Sequence, residues 1–452
     1  MCLKKIAVKL GIDKAILFTS SSTLIGAIGN VASAVLVMKF LSLDEQGYYF
    51  TFGSIVAIQI FFELGLNGII TQFVAHENAK LKWQDFQICE GNQYHKSRLT
   101  SLLHFCIRWY SVFSMILIIV LIPLGVYFFG SFSSVDDIVL WKIPWLLLAI
   151  STALNLFISP FIAFLQGLGK VKEIANFQLL AQVLRIIIIC VCLILGFKLY
   201  VLGIGNFILF FVMLVSIFFR YKMLFLNIWF SEKTTNVEYF KEIFPFQWKI
   251  ALSWLSGYFI FQLFNPVLFA TEGSKVAGQM GLTLTALNGI LTLSIAWMTT
   301  KVPLLSSLIA NKKFDELDNL FNRTLKQALF INIVLLTTFV IFISVIKLFK
   351  IAVGHTLIVE RFISMLPLVF MTITVLINLV VSSWAIYLRC HKEDPYFVNS
   401  LVSGILSALS TIYCGKYFGL FGITLGYLII NLLMLPWAYR VFINKKIEWH
   451  KI

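Results

Sequence analysis

Long apolar runs alternate with short polar breaks along the whole chain, and the length of those runs sets the fold class. About twenty apolar residues cross a bilayer as a helix, and twelve runs reach that length. The first six are predicted at about Ala15–Leu41, Gln46–Ala75, Phe105–Gly130, Trp141–Leu168, Ile174–Phe197 and Tyr200–Tyr221. Six more follow at about Ile243–Thr271, Ala277–Pro303, Thr324–Leu348, Phe362–Leu388, Tyr396–Tyr413 and Leu420–Val441. Two stretches, His76–Leu103 and Leu304–Asn322, are amphipathic rather than uniformly apolar. Lipid offers no partner to an unpaired N–H or C=O, so the spans must be helical. The expected fold is all-α and integral to the membrane.

A repeat runs through the pattern. Shifting the sequence by 231 places Gly47 on Gly278, Ala79 on Ala310, Lys82 on Lys313 and Trp83 on Phe314. Insertions then move the offset: Pro144 matches Pro367 and Asn176 matches Asn399 at 223, and Gly203-Ile204 matches Gly422-Ile423 at 219. Each half is six spans, an even number, so both halves enter from the same side and the repeat is parallel. The expected organisation is a six-helix lobe at 1–222, a connector at 223–242 and a second six-helix lobe at 243–452. Two such lobes, related by a pseudo-two-fold axis, would enclose a central cavity near the midplane.

Composition agrees. Of 452 residues 60% are hydrophobic and 13% charged, against about a quarter charged in soluble domains, and mean hydropathy is +0.91. A formal charge of +15 raises nucleic acid as a partner, but the cations sit in short segments between spans and no nucleic-acid motif accompanies them. With the N-terminus inside, 27 of the 36 Lys and Arg fall on the inner side, which orients both termini toward the cytoplasm. Lys347, Lys350 and Arg361, before the tenth span, run against that bias. The first span lacks a small-residue cleavage site and is expected to remain. Seven cysteines, at 2, 89, 106, 190, 192, 390 and 414, show neither CxxC nor metal spacing. They are read as reduced, small apolar residues. No P-loop, HExxH or nucleophile elbow is present, and the outer loops are too short for a catalytic domain. No enzyme, cofactor or metal site is expected.

Polar residues inside the spans are the candidate machinery. Glu63 lies mid-span, where a carboxylate costs about 3 kcal/mol or more unless it faces protein or water. Gln59, Glu63 and Asn67 fall four apart and would form one polar stripe on a continuous helix. Glu63 is either an ion or proton site, or a carboxylate satisfied by its neighbours. Arg185 extends a second stripe with Gln178 and Gln182; a guanidinium cannot easily neutralise itself, so it needs an anion, a cavity or a snorkelling route. It could pair with Glu63. Lys249, near Gln247 and Ser253, could snorkel. Tyr258, Gln262 and Asn265 form a third stripe ahead of Pro266, which should kink or break its helix. Asn30, Asn155 with Ser159 and Gln166, Asn288 with Thr285 and Thr292, and Asn378 with Ser382 each read first as interhelical hydrogen bonds.

The segment LSLDEQGYYFTFGSIVAIQIFFELGLNGIITQFVAHE resembles the second helix of bacterial Wzx-type polysaccharide flippases of the MOP superfamily. QGLGKVKEIANFQLLAQVLR and FGLFGITLGYLI are similar to that family's fourth-to-fifth and last helices. The resemblance implies two six-helix lobes around a cavity that opens to either side of the membrane in turn. The implied substrate is an oligosaccharide repeat unit of O-antigen or capsule on undecaprenyl pyrophosphate. It would move from the cytoplasmic to the periplasmic leaflet of the inner membrane, with an ion gradient as candidate drive. Arg185 and Lys249 would supply positive charge to its lumen. A polymerase and a chain-length regulator of the same pathway are the implied partners beside membrane lipids. Rival readings are a multidrug/cation antiporter of the same superfamily, a polytopic polysaccharide polymerase, and a scaffold of an envelope assembly.

Overall fold

The computed structural model describes residues 26, 29, 32–84, 88–133, 139–353, 356–391 and 393–450. Most of the first expected span, with Asn30, lies outside the described residues; 32–40 are helical. Among the described residues thirteen α-helices of nine residues or more follow. They are α1 Leu43–Val56, α2 Leu66–Asn78, α3 Gln93–Phe132, α4 Lys142–Gly167, α5 Val171–Ile194 and α6 Tyr200–Trp229. Then come α7 Phe244–Phe261, α8 Phe264–Glu272, α9 Ser274–Thr299 and α10 Val302–Ala310. Last are α11 Phe314–Phe349, α12 Met365–Cys390 and α13 Phe397–His450. Two antiparallel hairpins join them, β1 Leu81–Gln84 with β2 Ile88–Gly91 and β3 Ala352–Val353 with β4 Thr356–Leu357.

Among the described residues ten helical stretches are long and apolar enough to span a membrane. One of them, α13, is two helices meeting at Gly419, whose φ of +57° and ψ of −143° break the ladder. That gives eleven spans, and with helix 32–40 each of the twelve expected runs is mainly helical where described. The polar stretch His76–Leu103 is shorter than its composition suggested. Only 79–92 lie between helices, because α2 and α3 extend as charged turns beyond their apolar parts.

The chain clusters into two compact units that interleave in sequence. One comprises 1–54, 132–139 and 256–452; the other comprises 55–131 and 140–255. In the first unit, α9 packs on α8, α11 and α12, and α13 packs on α8 and α12. Its core at one end gathers Met298, Leu317, Phe321, Tyr387 and Phe442. The Tyr387 hydroxyl there donates to Asp318 (3.1 Å), and Lys446 pairs with the same carboxylate (2.7 Å).

The start of α1 follows from its first residues. The Glu45 N–H donates to Ser42 Oγ (3.1 Å) and the Ser42 N–H to Glu45 Oε2 (2.9 Å), a reciprocal capping box. Ser274 Oγ donates to Asp44 (2.6 Å). One turn on, α1 meets α9 at two glycines. A Cβ on Gly278 would lie 2.8 Å from Gly47 N, and a Cβ on Gly47 would lie 2.0 Å from Ser274 O. These are the same two glycines that the shift of 231 superposes. Fully buried Gln46 donates to Gly278 O (2.8 Å) and Arg361 O (3.2 Å), and accepts from Arg361 Nη1 (3.1 Å). Arg361 is itself buried, so this outlier from the charge bias is a structural cation rather than a loop charge.

In the second unit α4 packs on α2 and α6, and α6 on α5. Trp145 is fully buried, donates its indole N–H to Leu121 O (3.1 Å) and lies against Gly125, where any Cβ would come within 2.0 Å of the ring. Asn155 donates to Asn206 O across the α4–α6 seam (2.8 Å). In the first unit Asn378 donates to the Tyr427 hydroxyl (3.3 Å). Asn155 and Asn378 thus hold helices together, as expected of single amides in spans.

Candidate functional site

Between α1 and α2 the chain does not stay helical. A 3-10 turn at Ala57–Gln59 and one α-turn at Ile60–Glu63 lead into Leu64 (φ +48°) and Gly65 (φ +69°), both left-handed. A Cβ at Gly65 would fall 2.4 Å from Ile250 Cγ2, so glycine is required there for its backbone and for its size. A left-handed leucine costs about 1–2 kcal/mol, and such strain persists where the surroundings hold it. The single stripe expected for Gln59, Glu63 and Asn67 is therefore corrected. A helix break separates Glu63 from Asn67, and irregular backbone inside a span is tolerated only where protein or water satisfies it.

Glu63 ends the short helical turn, half-buried. Among the described residues it forms no hydrogen bond and no ion pair, so the pairing with Arg185 is not made. Across the break Asn67 accepts from the Tyr110 hydroxyl (2.8 Å), and Tyr110 lies within electrostatic reach of Glu63. Thr71 Oγ1 then bonds Ala163 O (3.1 Å), fixing α2 to α4. Glu63 and Asn67 are thus gathered near one fully buried tyrosine.

Gln178, Gln182 and Arg185 share one face of the unbroken α5, all half-buried. The Arg185 stem packs beside Gly205 of α6, where a Cβ would stand 3.4 Å from its Cγ. Lys249 is helical within α7, and its side chain falls outside the described residues. In the first unit the third stripe is broken, as Pro266 foretold: α7 ends at Phe261 and α8 starts at Phe264, with Gln262 and Leu263 between them. Pro266 sits in the first turn of α8, where its missing N–H costs nothing. Asn265, 6% exposed, donates to Ser54 Oγ (3.0 Å), and its Oδ1 has no partner among the described residues.

A charged constellation lies elsewhere. A cavity of about 800 Å³ opens in the second unit, and one wall is a helical stripe of α2. Ile69, Gln72, Phe73, His76 and Glu77 of α2 line it, with Lys80 just beyond the helix end. Tyr94, His95 and Arg98 of α3, and Glu242 from the π-helical turn Tyr239–Ile243, close it. Glu77 is 5% exposed and bonds His95 Nδ1 (2.6 Å) and Arg98 Nε (2.9 Å). Arg98 Nη2 reaches Glu242 (2.5 Å), whose carboxyl is held below the usual carboxylate range chiefly by that bond. The connector is tied down beside it. Ser97 Oγ accepts the N–H groups of Thr234 (2.8 Å) and Thr235 (2.7 Å), and Ser101 Oγ that of Val237 (3.0 Å). Lys80, at the mouth, has no carboxylate partner among the described residues.

None of the residues singled out from the sequence lines this cavity. The signal that would have found it is the spacing 69, 72, 73, 76, 77, 80, a helical stripe turning from apolar to charged. It was hidden because the second span was ended at Ala75. Among the described residues no group of His, Cys, Asp and Glu could hold a metal ion.

A family model described as polysaccharide biosynthesis protein matches residues 13–309. No curated protein matches the chain. Among solved structures, an inward-facing multidrug-resistance MATE-family transporter of the MOP superfamily is similar at TM-score 0.72 and 14% identity, covering 96% of this chain and 99% of that one. The lipid II flippase MurJ, in an inward closed conformation, is similar at TM-score 0.64 and 16% identity, over 96% and 90%. A MOP-superfamily transporter from Pyrococcus furiosus gives 0.59 and 16%, over 96% of each chain. At these identities the likeness is one of fold: the chain has the all-α polytopic fold of MOP-superfamily transporters.

Proposed function

The chain belongs to the polysaccharide biosynthesis protein family, and from that premise we propose that it flips an undecaprenyl-pyrophosphate-linked oligosaccharide, the repeat unit of O-antigen or capsule. The movement is from the cytoplasmic to the periplasmic leaflet of a bacterial inner membrane by alternating access, with both termini cytoplasmic. The observation that carries this reading is the cavity of about 800 Å³ lined by Ile69, Gln72, His76 and Glu77 of α2 and by Lys80 beyond its end. A glycan and its phosphates cannot enter hydrocarbon without losing their hydrogen bonds, at several kcal/mol per unpaired group. A recess that carries charged and amide side chains inside a greasy exterior lowers that cost while the isoprenoid tail stays in lipid. No covalent chemistry is needed.

In this reading Lys80 meets phosphate oxygens at the mouth, where a cation without a carboxylate partner is free to take an anion. The Glu77–Arg98–Glu242 cluster holds α2, α3 and the connector in register. Glu63, beside a helix break and without a protein partner among the described residues, is the candidate coupling site, and Arg185 a second cation. A polymerase and a chain-length regulator would receive the product. The test is a deletion strain complemented with Lys80→Ala, Glu63→Gln or Arg185→Ala at native expression. The expected result is reduced surface glycan, with lipid-linked repeat units accumulating on the cytoplasmic side. Full glycan display in all three variants would overturn the assignment. Loss of drug efflux with intact glycan on deletion would replace the substrate by a drug or cation.

A further inference from the structure

A second concavity, of about 320 Å³, lies in the same unit between α3, α4 and α6, and its character is the opposite of the first. Leu103, Phe157, Phe161, Leu214 and Trp229 line it, and Lys222 is its one charged residue. Phe157 and Phe161 are one turn apart on α4, and Phe161 stacks edge-on against Phe225 of α6 (5.2 Å), so the wall is a rigid aromatic surface. From Leu214 to Trp229 the trough follows α6 for about 22 Å at 1.5 Å per residue.

Lys222 is the anomaly. It is exposed, and its Nζ stands 5.0 Å from the Phe218 ring, back toward Leu214. It therefore leans along the apolar trough instead of extending away from it. Among the described residues no carboxylate pairs with it, whereas neighbouring Arg220 has Glu173 at 3.8 Å. A cation held against a greasy wall just past the end of the sixth expected span, Tyr200–Tyr221, calls for an anion. The adjoining trough accepts only an apolar chain. Leu214 lies about 12 Å along α6 from Lys222, which fits within the roughly 15 Å depth of one leaflet's hydrocarbon.

We propose that this trough is a binding site for an anionic phospholipid. Its phosphate pairs with Lys222, and one acyl chain lies along Phe157, Phe161 and Leu214. The charge bias places Lys222 on the cytoplasmic side, so the lipid comes from that leaflet. Apolar contacts do not favour the site over bulk lipid, since tails are equally apolar; selectivity comes from the charge. The inference does not depend on what the protein transports.

The test uses the full chain in vesicles containing brominated phosphatidylglycerol or brominated phosphatidylcholine. Bromine quenches nearby indoles, and the Trp229 signal is isolated by subtracting a Trp229→Phe variant. Expected is about threefold stronger occupancy by phosphatidylglycerol, the scale of one exposed ion pair. Lys222→Gln should abolish the preference, and Leu214→Phe, which narrows the trough without adding an indole, should lower quenching by both lipids. Equal quenching by the two lipids, or a preference that survives Lys222→Gln, would overturn the site. Displacement by undecaprenyl phosphate at lower concentration than phosphatidylglycerol would also overturn it, in favour of an isoprenoid occupant.

Discussion

Gly65→Ala is the sharpest test of the broken second span. Two costs add at this position. The left-handed backbone (φ +69°) charges any residue with a Cβ about 1–2 kcal/mol. The new Cβ would also stand 2.4 Å from Ile250 Cγ2, closer than a real carbon pair sits, and overpacking of that kind costs about 1–3 kcal/mol. The total is about 2–5 kcal/mol. The two parts separate in a double-mutant cycle with Ile250→Ala, which deletes the clashing methyl but leaves the backbone penalty. Unfolding of the detergent-solubilised protein should then show a favourable coupling of about 1–3 kcal/mol between the two changes. A Gly65→Ala variant within about 0.5 kcal/mol of the parent, or strictly additive effects, would mean that residue 65 is not held left-handed against α7. The break, and the placing of Glu63 at its edge, would fall with it.

Two further outcomes follow from the charged cluster. Arg98→Ala leaves the buried Glu77 carboxylate without its guanidinium, and breaking a buried pair costs about 3–5 kcal/mol; Glu77→Gln, which keeps the shape and drops the charge, should cost less. Thermal unfolding of both variants checks the order, and the reverse order would show that the cluster is not held by charge. For Glu242 the sign is fixed by the depressed carboxyl. Its contribution is fully present above the ordinary unfolded carboxylate value of about 4.3 and is lost as pH falls through the lower folded value. Protease protection of the connector should therefore be flat from neutral pH down to that ordinary range and decline only below it. A decline already under way above that range would refute the assignment to Glu242.

Periodicity was enough to read the helical spans, because a run of twenty apolar residues has few other solutions. The break ahead of Pro266 was equally open, since it depends on local chemistry. The Leu64–Gly65 break was not. Its glycine sits in an apolar run that reads as helix, and only Ile250, far along the chain, makes it necessary. The stretch His76–Leu103 read only as amphipathic because its charges were counted singly. Glu77 pairs with residues 18 and 21 positions away and is joined through Arg98 to Glu242, a closure that no local window contains. Arg361 misled for the same reason: its partner, Gln46, lies 315 residues distant.

The meeting of Gly47 with Gly278 has a historical consequence. Equivalent points of a duplicated sequence can touch only where a symmetry axis runs between them, as in a self-complementary homodimer. The crossing of α1 and α9 thus marks where two copies of an ancestral half would have docked before fusion into one gene. Neither glycine could drift alone afterwards, since a methyl on either would strike its counterpart's helix. A joint made of bare backbone also has no rotamers to rearrange, so it can part and re-form without re-sorting side chains.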